Sequence, residues 1–162
     1  MPSLKVPGTD GNPLGDRIES DRPKTPALTW ENLPSTLEQL ARVIRASHDL
    51  MELEDEDGSR LCDEATWQRA ITFLINQALW LLNEKRRVMQ TPDIWAGPDQ
   101  SIDLHWETSS YELLINVPAD ANQPAGFYGD DKGKLKIKGT LDPSRLTEGL
   151  LLWLERSNGE LA

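Results

Sequence analysis

Residues 63–89 read DEATWQRAITFLINQALWLLNEKRRVM, the longest stretch of unbroken helical periodicity in the chain and its most apolar. At about 100° per residue, Trp67, Ala70, Ile71, Leu74, Ile75, Ala78, Leu81 and Leu82 fall on one broad stripe. A stripe that wide buries against two neighbours rather than one, so the segment predicts the core helix on which a small domain packs. Asp63 is placed to cap it, because a carboxylate there accepts from first-turn amides that have no partner inside the helix. Glu64 near the positive end of the helix dipole, and Lys85, Arg86 and Arg87 near the negative end, add favourable charge. Thr91-Pro92 is expected to stop the helix. Asn76, Gln77 and Asn83 interrupt the apolar run, which is too short to span a bilayer.

Phe73 and Trp80 lie off this stripe. Seven residues apart, they stack on one side of the helix beside Arg69, Asn76, Glu84 and Arg87. Two readings follow. Either the first helix or the N-terminal segment covers them, or Phe73, Trp80, Arg69 and Arg87 form a partner-binding patch, since aromatics beside arginine are common interface anchors.

A chain of 162 residues suffices for one domain with tails and can bury a core without covalent staples. The single cysteine, Cys62, allows no internal disulfide and fits a reducing compartment. The opening MPSLKVPGTDGNP has no apolar core of signal-peptide length, which predicts a cytoplasmic protein. A net charge of −10 opposes nonspecific binding to nucleic acid or to membranes. It suits solubility and a basic protein partner equally well.

Residues 1–29 are rich in Pro, Gly, Asp, Lys and Ser, with apolar residues only singly. Pro2, Pro7, Pro13, Pro23 and Pro26 stop any regular element, so this stretch reads as a tail that is disordered or ordered by a partner. A first helix is expected from Ser35, where Ser35 and Glu38 have capping-box spacing. Leu37, Leu40, Ala41, Ile44, His48 and Met51 give it an apolar face. The acidic run from Glu52 to Asp57 and Gly58 reads as a solvated turn rather than a calcium loop, because Ser59, Arg60, Leu61 and Cys62 do not complete the ligand pattern.

After Pro92 the period changes to two. Asp93-Ile-Trp95 is a short strand and Gly97-Pro98-Asp99 a turn. Along Ser101–Glu107, Ile102, Leu104 and Trp106 face one way, and Asp103, His105 and Glu107 the other. Tyr111, Leu113, Ile115 and Val117 share a face in the next strand. Phe127-Tyr128 reads as a further pairing, and 134–138 as a strand with Leu135 and Ile137 inward and Lys134, Lys136 and Lys138 outward. Those lysines protect a sheet edge from aggregation. Asp142-Pro143 predicts a helix start, with Leu146, Leu150, Trp153 and Leu154 as its apolar stripe.

The three ionisable residues Asp103, His105 and Glu107 are the one arrangement that resembles a catalytic centre. Same-face strand neighbours stand about 6.6 Å apart, so the three converge on one ion only with help from elsewhere. No Gly-x-Ser-x-Gly elbow, Walker loop or dinucleotide fingerprint occurs, and no metal or cofactor is expected.

The segments Pro92-Asp-Ile-Trp95, Gly97-Pro-Asp-Gln-Ser-Ile-Asp-Leu-His-Trp106, Glu112-Leu-Leu-Ile-Asn-Val-Pro118 and Phe127-Tyr-Gly-Asp130 resemble a family of small bacterial proteins of no assigned function. Members carry a helix pair and a P-x-I…D-G-S-I-x-L-x-W hairpin. The likeness covers about residues 67–140, and Gln100 stands where the pattern has glycine, implying a different turn type. No catalytic residue carries over.

The expected architecture is α+β: an antiparallel helix pair on a three- to four-stranded antiparallel meander, with a C-terminal helix closing the core. Residues 30–157 form one domain, followed by a frayed C-terminus at 158–162. The expected function is a non-enzymatic protein-interaction module of a bacterial cytoplasm, of which an antitoxin- or immunity-like role is one concrete form. The rival is a small metal-assisted hydrolase using Asp103, His105 and Glu107. Nucleic-acid binding through Lys134, Lys136 and Lys138 is disfavoured by the net charge.

Overall fold

The core helix, α2 (Glu64–Lys85), forms where its N-terminal residue permits. The extended backbone of Asp63 lets its carboxylate accept from the Thr66 amide at 2.7 Å, satisfying one of the unpaired first-turn donors. At the other end the helix stops at Lys85, before the expected Thr91-Pro92. Arg86 there adopts the left-handed conformation (φ 56°, ψ 38°) and the Arg87 amide donates back to the Leu81 carbonyl at 3.2 Å. A left-handed residue followed by a backward bond is a helix-terminating geometry, here built without glycine. Arg86 and Arg87 thus lie beyond the helix rather than in its last turn.

A computed structural model describes residues 30–133, 135–147 and 149–150. The tail expected over residues 1–29, most of the expected C-terminal helix and the C-terminus at 158–162 fall outside the described residues. Where that last helix was expected to begin, Asp142–Arg145 is instead a turn closed by the Arg145 amide on the Asp142 carbonyl at 3.1 Å.

Upstream of α2, a single 3₁₀ turn, Ser35–Leu37, leads into α1 (Glu38–Ser47), and a second 3₁₀ turn covers His48–Glu52. The capping box does not form. No side chain caps either start, and the Glu38 carboxylate pairs along the helix with Arg42 at 3.5 Å. Leu37, Leu40, Ala41, Ile44 and Met51 are buried as the period requires, whereas His48 is exposed. Its ring packs between Trp30 and Trp67, at centroid distances of 6.1 and 5.1 Å. The Trp67 indole donates to Ser47 Oγ at 2.9 Å, and Ser47 Oγ donates to the Ile44 carbonyl, so the polar end of a buried aromatic is satisfied by the neighbouring helix.

Among the described residues α1 and α2 precede five strands, not three or four: β1 (Asp93–Ala96), β2 (Ile102–Glu107), β3 (Glu112–Val117), β4 (Ala125–Asp130) and β5 (Lys136–Leu141). Each pairs antiparallel with the next, giving the order β1-β2-β3-β4-β5. Helix α1 packs beside β1, and α2 lies across β2 and β3. The inner residues Ile102, Leu104, Leu113 and Val117 are fully buried, and Trp106 and Ile115 nearly so. Trp106 Nε1 donates to the Gln90 carbonyl at 2.7 Å and the Tyr111 hydroxyl to Gln90 Oε1 at 3.0 Å, tying the α2–β1 connection to the sheet. Leu135, expected inward, precedes β5 and is 47% exposed; Leu141 takes the buried place instead.

Candidate functional site

The expected patch on α2 does not assemble. Phe73 is 1% exposed and belongs to the core, because α2 is clad on more sides than its main stripe required: Thr66 and Gln77 are buried as well. Phe73 as a contact residue is therefore corrected. Trp80 is half-buried with the Lys85 ammonium 5.7 Å from its ring centre. Arg69 is turned to structural use, its Nη2 donating to the carbonyls of Pro118 and Ala119 at 2.7 and 3.0 Å. Arg87 lies past the helix end. Beside Arg69 runs a cleft of about 540 Å³, floored by Gln68 and Thr72 and walled by the β3–β4 connection and Pro143.

The face of the sheet turned away from the helices has a clear organisation. Antiparallel register aligns outward residues in rows across all five strands. One row runs Asp93, His105, Leu114, Tyr128, Lys138. The next runs Trp95, Asp103, Asn116, Gly126, Thr140, and a third begins at β2 with Glu107, Glu112, Asp130, Lys136. Carboxylates concentrate toward β1–β3 and lysines on β5.

Asp103, His105 and Glu107 point the same way, as the alternation predicts, but each is held by a different partner. Asp103 Oδ1 accepts from Asn116 Nδ2 at 2.7 Å, His105 Nε2 donates to Glu112 Oε1 at 3.1 Å, and Glu107 Oε2 lies 3.4 Å from Lys132 Nζ. These pairings offset a row in which Glu107, Glu112 and Asp130 stand directly opposite one another, a placement that like charges disfavour. Among the described residues no group of three His, Cys, Asp or Glu side chains is placed to hold a metal ion. The proposed hydrolytic triad is thus three separate pairs.

Local electrostatics favour the ionised form of Asp130 on this face. Amides of Gly133 and Lys132 donate to Asp130 Oδ1 and, with the Tyr128 hydroxyl and Lys136, hold its carboxyl below the ordinary value. Tyr128 is pushed up, by desolvation first and then by Asp130, so it remains a neutral donor.

The feature that sequence reading missed is Trp95. It is 52% exposed, the largest exposed aromatic among the described residues, and its ring rests tilted on His105 at a centroid distance of 5.3 Å and 39°. A four-residue strand is too short for its own alternation to assign a face. Its register does so, since Ile94 opposite Leu104 must point inward and Trp95 therefore outward. Beside it, Asp103 is fixed by a chain of bonds. Asn116 Nδ2 also donates to Ser101 Oγ at 2.8 Å, which donates to the Pro98 carbonyl at 2.6 Å. Gly97 makes this possible: a Cβ there would fall 2.5 Å from Ser101 Oγ and 2.9 Å from Asp103 Oδ1. In the same turn Gln100 adopts φ 64°, at the position where the resembled pattern has glycine, and its amide donates to the Arg60 carbonyl at 3.1 Å.

No family model, curated protein or solved structure matches the chain. No helix among the described residues is long and apolar enough to cross a membrane.

Proposed function

We propose that this protein is a non-enzymatic protein-interaction module of a bacterial cytoplasm, and that its contact surface is the outer face of the sheet around Trp95. The observation that carries the reading is a tryptophan 52% exposed on the edge strand β1, propped by His105 and bordered by hydrogen-bonded polar groups. Tryptophan is among the residues most enriched at interface hot spots, and a monomer gains little by leaving one in water. The three ionisable groups of β2 each bond to a separate neighbour rather than converging on one point, which favours a recognition surface over a reaction centre. A lone buried Cys62 and the acidic balance suit a reducing, soluble setting. The resemblance to small bacterial proteins supplies the cellular context, and an antitoxin- or immunity-like role is the concrete form that an acidic module of this size would take.

The test is capture of partners from the native host with the full chain, then reconstitution of each captured protein with the purified module. A stoichiometric complex weakened by Trp95→Ala is expected. Failure of every captured protein to bind in the purified system would overturn the reading.

A further inference from the structure

Building on that interaction reading, we infer that Trp95 and Asp103 form a seat for an arginine side chain of the protein partner. Three observations converge on this chemistry.

The indole of Trp95 is open to solvent on the outer face, and its tilt on His105 limits its freedom to swing. An aromatic face held in place attracts a cation through its quadrupole. The neighbouring anion is equally fixed. Asp103 stands directly across from Trp95 in the β1–β2 register, with Oδ1 committed to Asn116. Its Oδ2 has no partner among the described residues, and one accepted bond leaves most of a carboxylate's capacity unused. Finally, the face is graded. Asp93 is exposed on the same strand as Trp95, whereas Lys136 and Lys138 are exposed on β5, at the far edge. A cationic group is drawn to the β1 side and repelled from the β5 side, which fixes the partner's orientation as well as its anchor.

Arginine fits this geometry better than lysine. Its planar guanidinium can lie flat on the indole while an edge N–H donates to Asp103 Oδ2, and it sheds water more readily than an ammonium. His105 does not compete for Asp103: the neutral ring donates its Nε2–H to Glu112, and Nδ1, buried without a hydrogen-bond partner among the described residues, then carries no proton to offer.

The experiment uses three capped pentapeptides, Gly-Gly-X-Gly-Gly with X as arginine, lysine or the uncharged isostere citrulline, titrated into the full-length protein. The readout is the indole N–H resonance of Trp95, assigned by its loss in Trp95→Phe. Saturable shifts with the arginine peptide, weaker ones with lysine and none with citrulline are expected. Asp103→Asn, which keeps the shape and the acceptor for Asn116, should weaken arginine binding about fivefold or more. Equal responses to arginine and citrulline, or none at Trp95, overturn the seat.

In the reconstituted partner complex, Trp95→Ala and Asp103→Asn should each cost about tenfold or more in affinity, and Lys138→Ala little. A complex indifferent to both variants overturns the arginine seat and leaves the interaction module standing. Arginine binding at Trp95 with no protein complex does the reverse.

Discussion

Leu104 and His105 are neighbours in β2, yet they belong to different kinds of surface. Leu104 is fully buried under α2, while His105 sits on the outer face with a ring contact to Trp95 and a hydrogen bond to Glu112. The inner face is uniform, built of Ile, Leu, Val and Trp that any apolar neighbour could clad. The outer face is particular: Asp103, His105, Glu107 and Asp130 each have a specific partner, and carboxylates give way to lysines from β1 toward β5. The first face contributes burial, which is non-directional, and the second directional polar pairing.

This division can be broken most forcefully from the inside. Trp106→Ala should cost about 3–5 kcal/mol, by leaving a cavity and an unsatisfied Gln90 carbonyl. Denaturant unfolding measures it, and a loss no larger than that of a surface change would contradict the picture of the inner face. Next comes the start of the helix that clads it. Asp63→Ala should cost about 1 kcal/mol.

The same residue gives the effect a pH signature. The Thr66 hydrogen bonds, first the side-chain and then the backbone one, hold the Asp63 carboxyl below its ordinary value of 3.8. A depressed carboxyl contributes fully above the unfolded value, and the contribution disappears as pH falls through the folded one. The gap between wild type and Asp63→Ala should therefore be present at neutral pH and close in acid below 3.8. A gap that persists unchanged would assign the loss to something other than the cap.

At the far end of the helix, Arg86→Gly should raise stability by about 0.5–1 kcal/mol, since only glycine adopts a left-handed conformation without steric cost. The smallest stability effect belongs to the outer face. Trp95→Ala should change unfolding free energy by about 0.5 kcal/mol or less while weakening the proposed partner complex about tenfold or more. A large destabilisation there would mean that the outer face also holds the fold together.

The inner face was legible because its signals repeat. Ile102, Leu104 and Trp106 alternate cleanly, and the Trp67–Leu81 stripe spans four turns, so local periodicity sufficed. Strands β4 and β5 were only half legible. Ala125–Asp130 contains two glycines and no clean alternation, and Gly139-Thr140 weakens the end of β5. Both strands are held by pairing with neighbours rather than by their own pattern. Phe73 follows the covered alternative rather than the patch, and the choice is not legible for a related reason: a helical wheel gives angles around one rod but not how many surfaces surround it. Trp95 is recognisable as a strand residue, but its direction comes only from pairing with β2.

The simple order of the sheet has a consequence for how the molecule is made. Each strand from β2 to β5 joins the one synthesised just before it, so the ribosome delivers each new ribbon to an edge already waiting. Low contact order of this kind favours rapid assembly, and no strand must wait for a distant mate. The scaffold helix α2 emerges before any strand, ready to shelter the first hairpin while the rest of the chain is still being translated.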